Sequence, residues 1–414
     1  MATDSLLPER FGPLAGLRVV CSGKLIAAPF AAQLAAQWGA EVIQVEPPGE
    51  GDIGYRHIGV RLPATDGKAP VSASFLQERR NELFVTLDFT KPRARELFLR
   101  LLGRTDLWIE SSKPGTYDRW GLDDKTVMET NPRLVITHIT AYGKSGDPDY
   151  AHRIAYDSTG QAFSGMMSQT GFPDPSPPSR AAPWTGDYLC AYFGLAASLA
   201  AVFRARASGE GQAIDLAHFE PLHHTLGGTM IEYFQEGVIR ERSGNRAQSF
   251  QPLDTFRAKD GWVMLGALTK PDFSRLCLTI GLDPEDPRWI KAQHNLDSIE
   301  GIEFDAYIRG WVAERTAEEV NRLLNQASVA CSRVMDARDI AENPQYRARA
   351  IHVEWEDEQV GRVKGIGVLP RFSRTPGKIW RGSARPGHDN QKVYSELLGL
   401  SRGEIEELTH EKII

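Results

Sequence analysis

Residues 17–45, LRVVCSGKLIAAPFAAQLAAQWGAEVIQV, contain the pattern that decides the fold. The apolar run 17–21 predicts a buried strand, and the alanine-rich run 28–38 predicts a helix that ends at Gly39. Residues 41–45 predict a second strand. A strand, a helix and a strand in this order form a right-handed crossover between two parallel strands. This stretch therefore predicts an α/β fold built on a parallel sheet.

The same pattern recurs further along the chain. Residues 83–87, 107–109 and 134–139 predict further strands, and residues 91–102 predict a helix between the first two. Repeated units of this kind predict a doubly wound sheet, whose ligands bind at the carboxyl ends of the strands. We expect a large domain over residues 1–219, a smaller domain over 220–330, and a C-terminal segment over 331–414 that returns to the large domain.

Composition excludes several classes of protein. The chain has 414 residues, with Lys+Arg 48 against Asp+Glu 54 and a net charge of −6, so no positive field favours nucleic acid. No uninterrupted apolar run approaches the roughly 20 residues of a membrane span. Asp4 and Glu9 interrupt the N-terminal residues, which have no apolar core, so we expect no signal peptide and a cytoplasmic protein. The 4 cysteines form no CxxC motif, which indicates reduced thiols rather than a metal or redox site.

Familiar catalytic motifs are missing from the sequence. It contains no GxxxxGK[ST], GxSxG or HExxH, which argues against P-loop NTPases, α/β-hydrolases and zinc proteases. His223 and His224 are neighbours on a predicted helix and point about 100° apart, so we expect no shared metal ion.

Asp187 follows Gly186 at the start of a long apolar helix predicted over residues 187–206. The commoner role of an aspartate there is an N-cap, which accepts hydrogen bonds from backbone N–H groups. The alternative is catalytic, because the helix dipole keeps a carboxylate ionised and an ionised carboxylate can act as a nucleophile. Local sequence alone favours the cap.

Four cations are candidate phosphate ligands. Lys113 follows the predicted strand 107–109 at the edge where ligands bind, and Arg119 comes six residues later. Arg79 and Arg80 precede the strand 83–87. Arginine can bind a phosphate through two N–H donors, whereas lysine binds it as a point charge. The alternative is that all four are solvated surface charges.

The order of several motifs identifies a family resemblance. The motifs are residues 11–46, RRNELFVTLDF (79–89), IESSKPGTYDRWGL (109–122), NPRLVITHITAYGKSG (131–146), AYDSTGQAFSGMMSQTG (155–171), WTGDYLCAYFGLAASLAAV (184–202), ENPQYRARAI (342–351) and PGKIWRG (376–382). In this order they resemble the class III CoA-transferase (CaiB/BaiF) family over nearly the whole chain. Within that family the chain is most similar to the L-carnitine/crotonobetaine/γ-butyrobetaine branch.

The resemblance implies a fold, a reaction and roles for single residues. It implies a Rossmann-like large domain, a smaller α+β domain and an interlocked homodimer. Asp187 falls on the family's catalytic aspartate, which forms an anhydride with the acyl group and then a thioester with coenzyme A. Backbone N–H groups at the helix start would stabilise the oxyanions. Lys113 and Arg119 fall on positions that contact CoA, and Arg79 and Arg80 are further candidates.

Two departures from related families narrow the reaction. The racemase branch carries a histidine before the position of Asp157, and this chain has Tyr156 there. That difference argues against an α-methylacyl-CoA racemase, which needs an acid/base pair. Formyl-CoA transferases carry a run of glycines in the small domain, and residues 245–252 (NRAQSFQP) contain none.

The identity of the acid stays open at this point. A carnitine-type acid carries a trimethylammonium group that aromatic faces bind, and the candidate aromatic residues are Trp184, Tyr188, Tyr192, Tyr233, Phe234 and Phe250. The alternatives are a transferase for another acid (a dicarboxylate or a bile acid), a racemase that uses Asp157 or another base, and a CoA-binding subunit without catalysis. No metal or redox cofactor, nucleic acid or membrane partner is expected.

Overall fold

The structure is a computed structural model that describes residues 5–414, so Asp4 of the signal-peptide argument lies outside the described residues. Within the described part the chain forms two compact units. The first comprises the described residues up to Gly165 together with Ala181–Gly227 and Arg349–Ile414, and the second comprises Met166–Arg180 and Gly228–Ala348.

The strands of the described residues alternate with helices in the first half of the chain. In chain order the strands are β1 (Arg18–Cys21), β2 (Glu41–Glu46), β3 (Arg61–Leu62), β4 (Val71–Ser72), β5 (Glu82–Thr86), β6 (Leu107–Glu110), β7 (Val135–Thr140), β8 (Ala213–Ala217), β9 (Leu253–Arg257), β10 (Trp262–Gly266), β11 (Ala330–Arg333), β12 (His352–Asp357) and β13 (Gly361–Ile366).

The α-helices are numbered in the same way, and a short 3₁₀ helix spans Pro148–Tyr150. In chain order they are α1 (Ala27–Gln37), α2 (Ile53–Arg56), α3 (Ala73–Glu78), α4 (Pro92–Leu102), α5 (Thr116–Arg119), α6 (Asp124–Thr130), α7 (Asp157–Phe163), α8 (Met166–Gln169), α9 (Thr185–Ser208), α10 (Phe219–His224), α11 (Thr229–Glu236), α12 (Lys270–Ile280), α13 (Pro287–His294), α14 (Ile299–Ala313), α15 (Ala317–Gln326), α16 (Ala337–Glu342), α17 (Pro344–Ala348), α18 (Asn390–Leu398) and α19 (Arg402–His410).

The first unit is built on a parallel sheet with the strand order β5-β2-β1-β6-β7-β8. Every neighbouring pair in this sheet is parallel. From β1 the chain adds β2 and β5 on one side and β6, β7 and β8 on the other, so the direction of winding changes between β1 and β6. The prediction of an α/β fold with a parallel sheet is therefore confirmed. The crevice between β1 and β6 is the place where such sheets bind ligands.

Small residues allow the elements of the first unit to approach closely. Gly39 ends α1 with a φ of +95°, and a Cβ at this position would lie 1.8 Å from the carbonyl oxygen of Phe11. Only glycine fits such a backbone and such a contact. The alanine-rich α1 packs against both the sheet and α9.

Helix α9 has 24 residues and, by length and composition alone, could cross a membrane. Its packing is that of a core helix. Cys190, Leu195 and Ser198 are buried, and the hydroxyl of Ser198 lies 2.7 Å from that of Thr137 on β7. The helix therefore belongs to the interior of the first unit on its sheet-facing side.

The second unit has its own sheet and core. Its sheet has the antiparallel order β11-β10-β9, and its core includes Phe256, Val263 and Phe304. Because β11 pairs with β10, the segment around residue 331 belongs to this unit. The chain returns to the first unit at Arg349, later than the expected 331.

The start of the second unit also differs from the sequence expectation. The small domain is expected to begin at residue 220, but the chain forms α10 and α11 with Gly227 and Gly228 between them, and α10 belongs to the first unit. Gly227 has a φ of +61°, which ends the helical path there. The boundary between the units falls at this break, after Gly227.

Candidate active site

A cavity of about 430 Å³ opens at the carboxyl edge of the parallel sheet, inside the first unit. Its walls come from the loops after β1 and β6, at residues 24–27 and 111–114, and from residues 139–143 at the end of β7. The rest of the lining comes from the start of α9 and from Ile58, Ala151, residues 153–158 and His218. The cavity therefore lies at the point where the winding of the sheet changes direction, as the strand pattern predicted.

Asp187 is the third residue of α9 and lines this cavity. Its side chain is 15% exposed, and its Oδ1 lies 3.0 Å from Nε2 of His218. Within residues 5–414 its Oδ2 has no hydrogen-bond partner. One carboxylate oxygen is thus held while the other stays available to a ligand in the cavity.

The cap of α9 comes from another aspartate. Asp157 is 2% exposed, and its Oδ1 accepts hydrogen bonds from the N–H groups of Gly186 at 2.7 Å and of Asp187 at 3.2 Å. Its Oδ2 accepts one from Gln161 Nε2 at 2.8 Å. The interpretation of Asp187 as a plain N-cap is therefore wrong. The two N–H groups are also occupied, so they are not free donors for an oxyanion.

The charge of Asp157 depends on several opposing influences. Burial raises the pKa of Asp157, and the negative charge of Asp187 adds to that rise. The hydrogen bonds from the backbone of Asp187 and Gly186 and from Gln161 act in the opposite direction on this pKa. Asp157 holds the start of α9 through Oδ1 and is itself held by Gln161 through Oδ2, which is the arrangement of a positioning residue.

His218 is the site residue that the sequence reasoning missed. It follows β8, and its ring is 8% exposed beside Asp187. Its backbone N–H donates to the carbonyl of Thr140 at 2.7 Å, and its own carbonyl accepts from the thiol of Cys190 at 2.9 Å. Because His218 lies 31 residues from Asp187 in the sequence, no local pattern predicted their contact.

The predicted CoA-binding cations divide into two groups. Lys113 is exposed and lines the cavity, together with Lys24 and Arg153, which the sequence reasoning did not single out. Arg119 lies at the end of α5, where its Nη2 donates to Thr116 Oγ1 at 3.3 Å, and it is not part of the cavity lining.

Arg79 and Arg80 are buried, with exposures of 1% and 0%, so their interpretation as solvated surface charges is wrong. Arg79 lies 3.4 Å from Glu82. Arg80 donates to the carbonyl of Ile366 at 2.8 Å and stacks 4.5 Å from the centre of the Trp355 ring. The structure does not bring either guanidinium to the cavity. Their assignment as CoA ligands stays a prediction, and binding a phosphate would require them to leave these partners.

A charged cluster joins the ends of β6 and β7 to α6. His138 on β7 lies 2.5 Å from Glu110 through Nδ1 and 3.0 Å from Asp124 through Nε2, and Lys144 donates to Asp124 at 2.8 Å. Burial opposes the charge of the ring, but hydrogen bonds to Asp124 and Glu110 raise the pKa of His138 to about 9. Burial likewise opposes the charge of Asp124, but hydrogen bonds from His138 and Lys144 lower its pKa to about 2. Glu110 also accepts from the N–H of Ser112 at 2.5 Å, which holds the loop after β6.

The candidate aromatic residues fall in different places. Trp184 lines the cavity, where it is joined by Tyr142 and Tyr156. The hydroxyl of Tyr188 donates a hydrogen bond to Glu78 at 2.6 Å, and Tyr192 packs against the ring of Phe30. The remaining three belong to the second unit: Tyr233, Phe234 and Phe250.

A model of CoA-transferase family III matches residues 14–390. The chain belongs to this family. A bile acid CoA-transferase of Clostridium scindens is 34% identical over 96% of this chain and 88% of the relative. An L-carnitine CoA-transferase of Proteus mirabilis is 33% identical over 98% of this chain and 97% of the relative. The relatives of this family III CoA-transferase are thus named for two kinds of acid, a bile acid and L-carnitine.

Solved structures agree with the fold of this CoA-transferase. A CaiB/BaiF family protein from Brucella suis has a TM-score of 0.82 at 27% identity and covers 94% of this chain and 100% of its own. A protein from Mycobacterium tuberculosis has a TM-score of 0.78 at 26% identity over 93% of this chain and 99% of its own. Among residues 5–414, no group of three His, Cys, Asp or Glu side chains is arranged to hold a metal ion.

Proposed function

We propose that this CoA-transferase moves CoA from an acyl-CoA to a free carboxylic acid with Asp187 as its nucleophile. The proposal rests on the two oxygens of the Asp187 carboxylate, which have different surroundings. Asp187 lines the cavity, its Oδ1 is held by His218, and its Oδ2 has no hydrogen-bond partner in the described residues. A carboxylate in this state can attack an acyl group.

The first half of the reaction releases the donor acid. Asp187 Oδ2 forms a bond to the thioester carbon, the C–S bond breaks, and its electron pair leaves on the CoA thiolate. The thiolate then attacks Cγ of Asp187, forming a Cγ–S bond. The bond from Cγ to the bridging oxygen breaks, and the donor acid leaves as a carboxylate.

The second half repeats these steps with the acceptor acid. The acceptor carboxylate attacks Cγ of the aspartyl thioester and displaces the thiolate, which leaves an anhydride between the acceptor and Asp187. The thiolate attacks the acceptor's carbonyl carbon, and Asp187 departs as a free carboxylate. No proton is gained or lost, so the exchange needs a positioned carboxylate rather than a general base.

The hydrogen bonds of Asp157 disfavour a racemase that uses this residue as its base. A racemase without the histidine at position 156 would need Asp157 or another base in its place. Both oxygens of Asp157 already accept hydrogen bonds, from the start of α9 and from Gln161. Abstraction of an α-proton would have to break this arrangement.

CoA phosphates have cations available around the cavity mouth. Lys24, Lys113 and Arg153 line the cavity, and Lys24 and Lys113 belong to the two loops that flank the crevice between β1 and β6. We assign Lys113 and Lys24 to the CoA phosphates and keep Arg119 as a more distant contact. The charges favour an anionic ligand at this edge.

We propose a carnitine-type acid with a trimethylammonium group as the acceptor. The rings of Trp184, Tyr142 and Tyr156 and the carboxylate of Asp187 line one cavity, and aromatic faces attract such a cation. The second candidate is a bile acid. It is favoured by the 34% identity to a bile acid CoA-transferase and by the isoleucines of the lining, Ile26, Ile58, Ile139 and Ile154.

We also propose a cytoplasmic location, and an interlocked homodimer as the family resemblance implies. Support comes from the outer face of α9, where Tyr192, Phe193 and Phe203 are 51%, 37% and 80% exposed. Exposed apolar faces of this kind are typical of protein interfaces. Sedimentation should give the mass of two chains, and Phe203→Glu should shift it toward one chain. A monomeric wild-type protein would contradict this part of the proposal.

The experiment that tests the function traps the covalent intermediate. The protein is incubated with γ-butyrobetainyl-CoA, crotonobetainyl-CoA, a bile acyl-CoA or succinyl-CoA and then treated with hydroxylamine or borohydride. We expect a stable adduct that maps to Asp187, forms fastest with the betaine donors, and is absent in Asp187→Ala.

Other outcomes are equally informative. An adduct on Asp187 with the bile acyl-CoA alone would keep the mechanism and replace the proposed acid by the second candidate. Binding of CoA esters with no adduct from any donor would overturn the nucleophile. Exchange of the α-proton with solvent deuterium would instead support the racemase.

A further inference from the structure

His218 is held rigidly against the reacting carboxylate. Its backbone N–H donates to the carbonyl of Thr140, and its carbonyl accepts from the thiol of Cys190. Both backbone groups of the residue are therefore held in place. Its ring lies against Gly160, where a Cβ would be 2.1 Å from Nδ1. Only glycine at 160 leaves room for this ring. The ring is therefore fixed with Nε2 3.0 Å from Asp187 Oδ1.

The position of the ring proton follows from the surroundings of the two nitrogens. Nδ1 of His218 is buried and has no hydrogen-bond partner in the described residues. A proton on Nδ1 would be an unsatisfied buried donor, which is unfavourable. A proton on Nε2 has a carboxylate oxygen to bind. The arrangement therefore favours a proton on Nε2 that is donated to Asp187 Oδ1.

This contact matters because Asp187 itself becomes an acyl centre. In the proposed reaction Oδ2 forms the anhydride, so Oδ1 remains as the carbonyl oxygen on Cγ. The thiolate attacks Cγ in the first half, and the acceptor carboxylate attacks Cγ in the second. Each attack makes Cγ tetrahedral and places a negative charge on Oδ1.

We propose that the Nε2–H of His218 is the oxyanion donor for the tetrahedral intermediates that form on Cγ of Asp187. This inference rests on the proposed function. The backbone N–H groups of Gly186 and Asp187, the expected oxyanion donors, are taken by Asp157. His218 supplies the donor that they do not. It also needs no reorientation during the reaction, which is how such donors are most effective.

Two substitutions separate the roles of the ring nitrogens. In His218→Gln the amide nitrogen reaches the place of Nε2, and in His218→Asn it reaches the place of the unpartnered Nδ1. Both remove the ring and keep a polar side chain, so a purely structural role would affect them alike. His218→Ala removes both nitrogens.

The measurement is the single-turnover rate of the hydroxylamine-trapped adduct on Asp187, with the steady-state kcat and KM beside it. We expect His218→Gln to stay within about tenfold of wild type, and His218→Asn and His218→Ala to lose about 100-fold or more in this rate and in kcat. KM for the acyl-CoA should change little, because the donor acts on the intermediates. Thermal unfolding midpoints report whether each variant is folded.

The outcomes distinguish this inference from the proposed function. If wild type forms the adduct and folded His218→Asn forms it as fast as His218→Gln, the oxyanion role is overturned while the nucleophile stands. A rise in KM at unchanged kcat in His218→Asn also overturns it, since the histidine would then act in substrate binding. If wild type forms no adduct with any acyl-CoA, the proposed function fails and this inference fails with it.

Discussion

The parallel sheet has a cavity at each of its two edges, and the larger is not the one that holds Asp187. The cavity at the amino edge has a volume of about 620 Å³, against about 430 Å³ at the carboxyl edge. Its lining is polar and charged, with Arg10, Arg104, Arg133 and Glu396 among its residues. By size and charge alone it would be chosen as the binding site for an anionic ligand.

The hydrogen bonds of the carboxylates at the two edges explain why the smaller cavity, rather than the larger, is the candidate active site. At the amino edge Glu41 pairs with Arg18 through one oxygen and accepts from the N–H of Leu6 at 2.6 Å through the other. At the carboxyl edge Asp187 has one oxygen held and one without a partner in the described residues. We therefore attribute the reactivity to a carboxylate that has one oxygen held by a hydrogen bond and the other without a hydrogen-bond partner. The loops at the carboxyl ends of the strands provide such a place, and cavity volume does not reveal it.

The largest expected effect comes from removing the charge of Asp187. Asp187→Asn keeps the shape but removes the nucleophile, and we expect CoA transfer to fall by at least about 1,000-fold. The matched variant at the amino edge is Glu396→Gln, which should keep wild-type activity. Steady-state CoA transfer measures both. Comparable losses in the two variants would remove the distinction between the edges.

A smaller effect is expected from the cap of α9. Asp157→Ala leaves the N–H groups of Gly186 and Asp187 unpaired and should lower the free energy of unfolding by about 1–2 kcal/mol. It should also lower kcat by about 10- to 100-fold, because the helix start carries the nucleophile.

The matched control is another capping aspartate. Asp123 caps α6 by accepting from the N–H of Thr126 at 3.0 Å. We expect Asp123→Ala to cost a comparable amount of stability in urea unfolding and to leave kcat near the wild-type value. If Asp157→Ala keeps full activity, the cap does not position Asp187.

A third test compares cations at the two edges. Lys113→Gln should raise KM for the acyl-CoA about five- to tenfold, with a smaller change in kcat, because an exposed charge on phosphate contributes modestly. Arg104→Gln at the amino edge should leave KM unchanged. The increase should shrink as salt is added. A larger effect from Arg104→Gln would place CoA at the other edge.

The smallest expected effect is a pH dependence of stability at the carboxyl edge. The pKa of His138 is raised to about 9, so its stabilising charge is fully present below its ordinary pKa of about 6.5 and is lost as the pH rises through about 9. His138→Gln should therefore be less stable than wild type at pH 6.5, and the difference should narrow toward pH 9.5. Urea unfolding across this range measures it. A difference that stays constant with pH would show that His138 is neutral in the folded protein.

The sequence predicted the parts of the molecule that depend on local pattern. Short apolar runs marked the strands of the parallel sheet, and the place of ligand binding followed from their order. The residue at which the C-terminal segment returns to the first unit was harder to predict. Strand β11 belongs to the second unit because of its pairing with β10, a contact between distant segments that its own residues do not encode.

The site shows the same limit in its individual residues. Asp187 was found, but local sequence favoured a cap, because the true cap, Asp157, lies 30 residues away. His218 gave no signal, since an isolated histidine is commonplace. The burial of Arg79 and Arg80 was not foreseeable either, because two adjacent arginines usually lie on the surface. Each of these facts depends on the packing of distant segments.

The most direct test of the account follows oxygen through Asp187. In the proposed reaction the oxygen that bridges the anhydride leaves with the donor acid, and an oxygen of the acceptor carboxylate replaces it on Asp187. Turnover with an acceptor labelled with oxygen-18 should therefore place the label in the peptide that contains Asp187, and Glu396→Gln should give the same result. Full turnover with an unlabelled Asp187 would contradict the account, because CoA would then pass between the acids without the aspartyl intermediates.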